Sequence, residues 1–201
     1  MKVERFGDRF PQGTGEEPLL LTPQRFEDER GFFVEAWHRI RFAEALGLPP
    51  EQAPRFDQDN FSRSRRGVLR GLHYQLPPAP QGKLVRCLSG EIHDVIVDIR
   101  SGSPSFGRWL GVRLSAANLH QLWVPPGFAH GFLALSDSAD VLYKVSGLWN
   151  RACERSLQWN DPRLAIEWPL EVLGGNPPIL SAKDAAAPTL AEAVAADEVF
   201  P

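Results

Sequence analysis

Cysteine is scarce in this chain, and long apolar runs and blocks of basic charge are missing. Cys87 and Cys153 lie far apart with different neighbours, so neither a disulfide framework nor a thiol catalyst is expected; Cys87 alternates with apolar positions as a small buried side chain does. No apolar stretch approaches the roughly 20 residues of a membrane-spanning helix. The start, Met1-Lys2-Val3-Glu4-Arg5-Phe6-Gly7-Asp8, lacks the apolar segment of a secretion signal, and the expected location is the cytoplasm. Lys and Arg number 22 against 25 Asp and Glu, a net charge of -3 without clustering, which argues against a nucleic-acid partner. A small anion can still be held by a local group of cations.

What is present suits one domain. A chain of 201 residues, 43% of them hydrophobic, is long enough for one real core and short for two. The expectation is a single domain over residues 1–201, with its body at about 20–170 and the segment 171–201 packing on it. Strand signals dominate from about Arg66 to Trp168. Leu84 to Leu88 runs into the turn Ser89-Gly90-Glu91; Asp94 to Arg100 puts Val95, Val97 and Ile99 on one face at period two; Trp109 to Leu114 forms another strand, and Val124-Pro125-Pro126-Gly127 a further turn. Short strands at near-regular spacing predict an antiparallel sandwich or barrel. Helices are expected at Arg39–Leu46, stopped by Gly47 before Pro49-Pro50, at Ala182–Ala187, and weakly in the Ala-rich tail after Pro188.

Four clusters carry side chains suited to chemistry. Asp28 to Trp37 is a turn, with Arg30 beside Gly31, feeding a strand. Gln58 to Gln75 loads amides, arginine and histidine onto strands, with Gln58 and Asn60 sharing one face and Gly71, His73 and Gln75 another. A histidine matters here because its ordinary pKa near 6.5 lets it act as a base at neutral pH. Pro125 to Phe132 presents His130 after a glycine turn. Val141 to Lys144 puts Tyr143 on the Val141 and Val145 face, which in a barrel can be the inner one, and is followed by Cys153-Glu154-Arg155 and Trp159-Asn160-Asp161-Pro162. Each has an ordinary structural reading too: a strand tyrosine in the core, an arginine in a solvated turn. A metal site wants two histidines one residue apart with a carboxylate soon after, and Leu72-His73-Tyr74-Gln75 offers one imidazole.

Taken together, these segments resemble the dTDP-4-dehydrorhamnose 3,5-epimerases, jelly-roll proteins of the cupin class. The resemblance covers Asp28 to Trp37, Gln58 to Gln75, Lys83 to Arg100, Val124 to Phe132, Tyr143 to Glu154, Trp159 to Pro169 and Leu180 to Asp184, in that order. It implies an all-β, cupin-like jelly-roll barrel with a few short peripheral helices. It further implies inversion of carbons 3 and 5 of a 4-keto-6-deoxy sugar joined to dTDP, with no metal and no redox cofactor.

Within that resemblance His73 falls at the base, Asp184 at the carboxylate that orients it, Tyr143 at the acid on the opposite face, and Lys83 at the partner of the enolate oxygen. Arg30, Glu35, Gln58, Asp59, Asn60, Arg70, His130, Glu154 and Lys183 fall at positions that contact the nucleotide sugar. A homodimer with exchanged strands is implied, so some of these act in trans. Where the family usually carries two tyrosines, this chain has Leu148 and Trp149. Trp149 offers the flat surface that stacks on thymine, and Leu148 lacks a hydroxyl, which keeps open an epimerase acting at one carbon, or a ketoisomerase. A metal-dependent cupin oxygenase and a non-catalytic sugar-nucleotide binding module are the rival classes. His93 has no role assigned by the resemblance.

Overall fold

The computed structural model describes residues 1–13 and 16–201. Strands β1 (Lys2–Arg5) and β2 (Leu19–Thr22) come first, then β3 (Arg25–Asp28), β4 (Gly31–Val34) and helix α1 (Arg39–Leu46). The central run is β5 (Gln58–Arg65), β6 (Leu69–Gln75), β7 (Lys83–Ser89), β8 (Glu91–Asp98) and β9 (Trp109–Ser115). After it come β10 (Gln121–Val124), β11 (Phe128–Ala134), β12 (Ser138–Val145) and β13 (Glu154–Ser156), and then the short helices α2 (Ala182–Ala185) and α3 (Leu190–Ala195).

Two antiparallel sheets face each other, one ordered β1-β2-β10-β7-β12-β5 and the other β13-β6-β11-β8-β9. Successive strands such as β5 and β6, β7 and β8, or β11 and β12 lie in different sheets, so the chain keeps crossing between layers. This is the cupin-like jelly roll expected from the sequence. Strands β3 and β4 pair with each other as a separate hairpin.

Alternation explains where each strand side chain goes. On β8, Ile92 and Ile96 point between the sheets, where they meet Val85, Cys87, Leu122, Phe128, Phe132 and Val141. Val95, Val97 and Ile99 point outward and are covered by Leu157, Leu164, Trp168 and Leu190. Both faces of β8 are therefore buried, each large side chain contributing about 1.5–3 kcal/mol. His93 belongs to the outward set: its ring meets that of Trp168 edge-on at 6.0 Å, away from the inner face. Helix α1 covers the other sheet, with Phe42, Ala45 and Leu46 on Leu19, Leu21, Leu84 and Trp123. It ends at Gly47, whose φ of 72° suits a residue without Cβ.

Some boundaries differ from expectation. Strands β1 and β2 form near the start of the chain, where no strand was expected, because they are polar or short and carry little periodic signal. Strand β8 starts at Glu91 and stops at Asp98 instead of running on to Arg100. The Asp98 carboxylate turns the chain by accepting hydrogen bonds from the Arg100 backbone and from Ser103 and Ser105.

One irregularity positions the site. Strand β6 pairs His73 with His130 and Arg70 with Phe132 of β11, so β6 carries an extra residue between these pairs. The bulge places Arg70 and His73 on the same face, which strict alternation forbids. Gly71 sits in it at φ 119°, and a Cβ there would meet the Gly131 Cα at 2.5 Å.

Candidate active site

Between the sheets opens a cleft of about 220 Å³ lined by Asn60, Ser62, Arg70, His73, Gln81, Lys83, His130, Phe132, Tyr143, Trp149 and Glu154 among others. Its two main walls belong to different sheets. His73 and Arg70 come from β6; Lys83 and Tyr143 come from β7 and β12, where alternation sends them inward with Val85 and Val141.

His73 is anchored from behind. Its Nε2 lies 2.5 Å from Oδ1 of Asp184, a buried residue of α2. Ser181 caps this helix, its hydroxyl accepting from the Asp184 N–H and donating to Asp184 Oδ2 at 2.8 Å. Burial pushes the Asp184 carboxyl up, but the hydrogen bond and charge of His73, the Ser181 hydroxyl and the Lys183 charge more than offset it. The carboxyl ends below its ordinary range and stays ionised at neutral pH. With Nε2 committed to Asp184, Nδ1 is the ring nitrogen left for the cleft.

Across the cleft, the Tyr143 hydroxyl lies 3.2 Å from Ser62 Oγ. Burial raises the phenol well above its ordinary value, so it holds its proton at neutral pH. Lys83 donates to the His73 carbonyl at 3.0 Å. Burial lowers the Lys83 ammonium to about 8, with Asp94 and Glu154 resisting the shift and Lys183 adding to it. His130 is fully enclosed: its Nε2 lies 2.8 Å from Asp94 Oδ1, and its ring meets that of Tyr143 edge-on at 6.1 Å. Burial lowers its pKa despite Asp94. A base, an acid and an ammonium thus converge on one space, a set able to move protons beside a carbonyl.

The rim carries the remaining polar groups. Lys183 and Glu154 form an ion pair of 2.7 Å, and Lys183 and the neighbouring Trp149 side chain help hold the Glu154 carboxyl below its ordinary range despite burial. The Gln58 amide nitrogen donates to Asn60 at 2.6 Å while its oxygen accepts from the Trp149 N–H. Arg70 is steadied by Ser64 Oγ and the Arg63 carbonyl.

Three expected residues lie elsewhere. Asp59 alternates onto the outer face of β5, where it pairs with Lys144 at 2.8 Å. Arg30 tips the β3–β4 hairpin, 84% exposed and paired with Asp28. Glu35 pairs with Arg41 of α1. Sequence reasoning missed Asp94, Ser62 and Gln81. Asp94 could have been found as the charged position between the inward Ile92 and Ile96 of β8, and Ser62 as the next step on the face that holds Gln58 and Asn60.

Comparison with known proteins gives a consistent picture. A family model for dTDP-4-dehydrorhamnose 3,5-epimerase matches residues 15–192. The dTDP-4-dehydrorhamnose 3,5-epimerase of Shigella flexneri is 52% identical over 83% of this chain and 87% of its own length. The crystal structure of the Legionella pneumophila dTDP-6-deoxy-D-glucose-3,5-epimerase in complex with dTDP-4-keto-L-rhamnose superposes with a TM-score of 0.85 at 46% identity, covering 99% of this chain and 98% of that one. The Mycobacterium tuberculosis epimerase gives a TM-score of 0.88 at 40% identity, covering 100% and 94%.

Proposed function

This chain belongs to the dTDP-4-dehydrorhamnose 3,5-epimerase family, and from that membership we propose how it inverts carbons 3 and 5 of dTDP-4-dehydro-6-deoxyglucose to give dTDP-4-dehydro-rhamnose. His73 Nδ1 takes the proton alpha to the ketone, and the electron pair moves onto the C4 oxygen as an enolate. The Lys83 ammonium faces that oxygen. Tyr143 returns a proton to carbon from the opposite face, and the ketone re-forms. The observation that carries this reading is the placement of the His73–Asp184 pair and Tyr143 on opposed walls of one cleft with Lys83 beside them. A base that takes the proton from one face and an acid that returns one to the other together change handedness at carbon.

Arg70 and Arg30 clamp the diphosphate, since guanidinium forks match phosphate oxygens. Trp149 stacks on the thymine, and Glu35, Gln58, Asn60, His130, Glu154 and Lys183 hold the nucleoside and sugar. Arg30 and Glu35 do so in trans, in a homodimer that exchanges the β3–β4 hairpin. In support, Phe26, Phe32 and Phe33 on this hairpin are 51%, 52% and 69% exposed, more apolar surface than a two-stranded ribbon keeps in water. The chain works as one domain in the cytoplasm, its segment 171–201 completing the site through Asp184.

Proton NMR of dTDP-4-keto-6-deoxyglucose in deuterated water tests the reading. Exchange with inversion at both carbons is expected; exchange at one alone makes this a single-carbon epimerase, and none defeats the assignment.

A further inference from the structure

Strand β5 is the edge of its sheet, and its inner face is a row of small polar side chains. Two of them hold a residue of the cleft: Gln58 accepts from the Trp149 N–H, and Ser64 Oγ accepts from Arg70 Nε at 3.0 Å. Ser62, between them, faces Val141 of β12 in register and reaches Tyr143. We propose that Ser62 is the positioning residue of the acid: its hydroxyl donates to Tyr143 Oη, aims the phenolic proton into the cleft, and holds the phenolate once that proton has moved to carbon.

The inference rests on the epimerase reading and deepens it. In the protonation step the Tyr143 O–H bond breaks, a C–H bond forms, and the enolate pair returns to the ring, leaving a phenolate on Tyr143. That charge lies in an enclosed place where burial and the nearby Asp94 oppose it, while the Ser62 hydrogen bond and the Arg70 charge favour it. A hydroxyl donating to an anion is worth more than one donating to a neutral oxygen, so the Ser62 contact strengthens as the proton leaves. The phenol ring does not depend on Ser62 for its place. It packs against His130 and Phe132, with centroids 6.1 Å and 6.5 Å away.

The test separates the two faces of the reaction. A proton returned by His73 exchanges the substrate with solvent without inversion, whereas one returned by Tyr143 inverts the carbon. Exchange and inversion are followed by proton NMR in deuterated water for wild type, Ser62→Ala and Ser62→Thr. In Ser62→Ala, inversion falls about tenfold or more while exchange stays within about twofold, so their ratio rises. Ser62→Thr keeps the hydroxyl and the wild-type ratio. Ser62→Cys, of similar volume but a weak donor, carries the same expectation as alanine and stands in for it if Ser62→Ala does not fold. An unchanged ratio in the alanine variant, or a threonine variant as impaired as alanine, overturns the role of Ser62 alone. A wild type that neither exchanges nor inverts overturns the epimerase reading, and the role of Ser62 with it.

Discussion

His73 Nε2 and Asp184 Oδ1 meet at 2.5 Å across 111 positions of sequence, one on a central strand and the other on a short capped helix near the end of the chain. The carboxylate fixes which ring nitrogen faces the cleft, and in the proposed mechanism it stabilises the imidazolium that forms when the base takes its proton. Asp184→Ala should lower kcat about 100-fold or more and leave the dTDP dissociation constant nearly unchanged, because Asp184 sits behind His73. Calorimetric titration with dTDP beside steady-state kinetics checks this; equal losses in both would remove the assigned role.

The same carboxylate links stability to acid. Its folded pKa is depressed, so between the folded and unfolded values the unfolded state binds more protons and stability rises with pH. The contribution is whole above the unfolded value of about 3.9 and is lost as pH falls through the folded one. Urea midpoints measured from about pH 5 to pH 2 should fall less steeply for Asp184→Asn than for wild type.

Lys83 links function to alkali. With the ammonium at about 8, kcat should decline above that pH as the cation facing the enolate oxygen is lost. Stability runs the other way: the folded lysine gives up its proton before the unfolded one, so stability rises from about 8 toward the unfolded value near 10.4. Lys83→Met should abolish the alkaline rise in stability and cut kcat across the whole pH range. A pH profile of kcat paired with urea midpoints reads both.

Tyr143→Phe removes only the phenolic oxygen. Inversion should drop by about 10²–10⁴-fold, while deuterium exchange driven by His73 continues. Loss of exchange to the same extent would mean that Tyr143 also serves the base.

Trp149→Ala should weaken dTDP binding by about 1–3 kcal/mol, read by calorimetry, with kcat changed only a few-fold. The indole is 54% exposed on the rim, and its backbone is held independently by Gln58, so its removal takes away stacking surface without collapsing the wall.

If the β3–β4 hairpin works in the partner's site, Arg30→Ala and His73→Ala should each be nearly inactive alone. Mixed and allowed to exchange subunits, they should regain about a quarter of wild-type activity, because half the dimers then carry one intact site. No recovery after demonstrated exchange would put Arg30 in its own chain's site.

What could be read from the sequence follows from how local its cause is. Helix α1 ends at Gly47 because a left-handed residue and two prolines act on their immediate neighbours, and the end was legible residue by residue. Val95, Val97 and Ile99 share a face because strand alternation is equally local. The bulge at Gly71 was not legible, since alternation separates Arg70 from His73 and only the close approach of β11 shows why a glycine stands there. Asp94 was overlooked for a related reason: a carboxylate among apolar residues looks like a strand end until His130 arrives from another strand. Arg30 and Glu35 were named through resemblance, and the fold of one chain leaves them on a hairpin and beside α1, outside the cleft.

The span between His73 and Asp184 also sets an order in time. A growing chain makes β5 to β12, with the phenol, the lysine and the arginine of the cleft, well before α2 emerges. Until then the imidazole has no carboxylate to hold it. On the proposed mechanism the base is complete only once the tail has docked, so turnover would report that the end of the chain has folded onto the barrel.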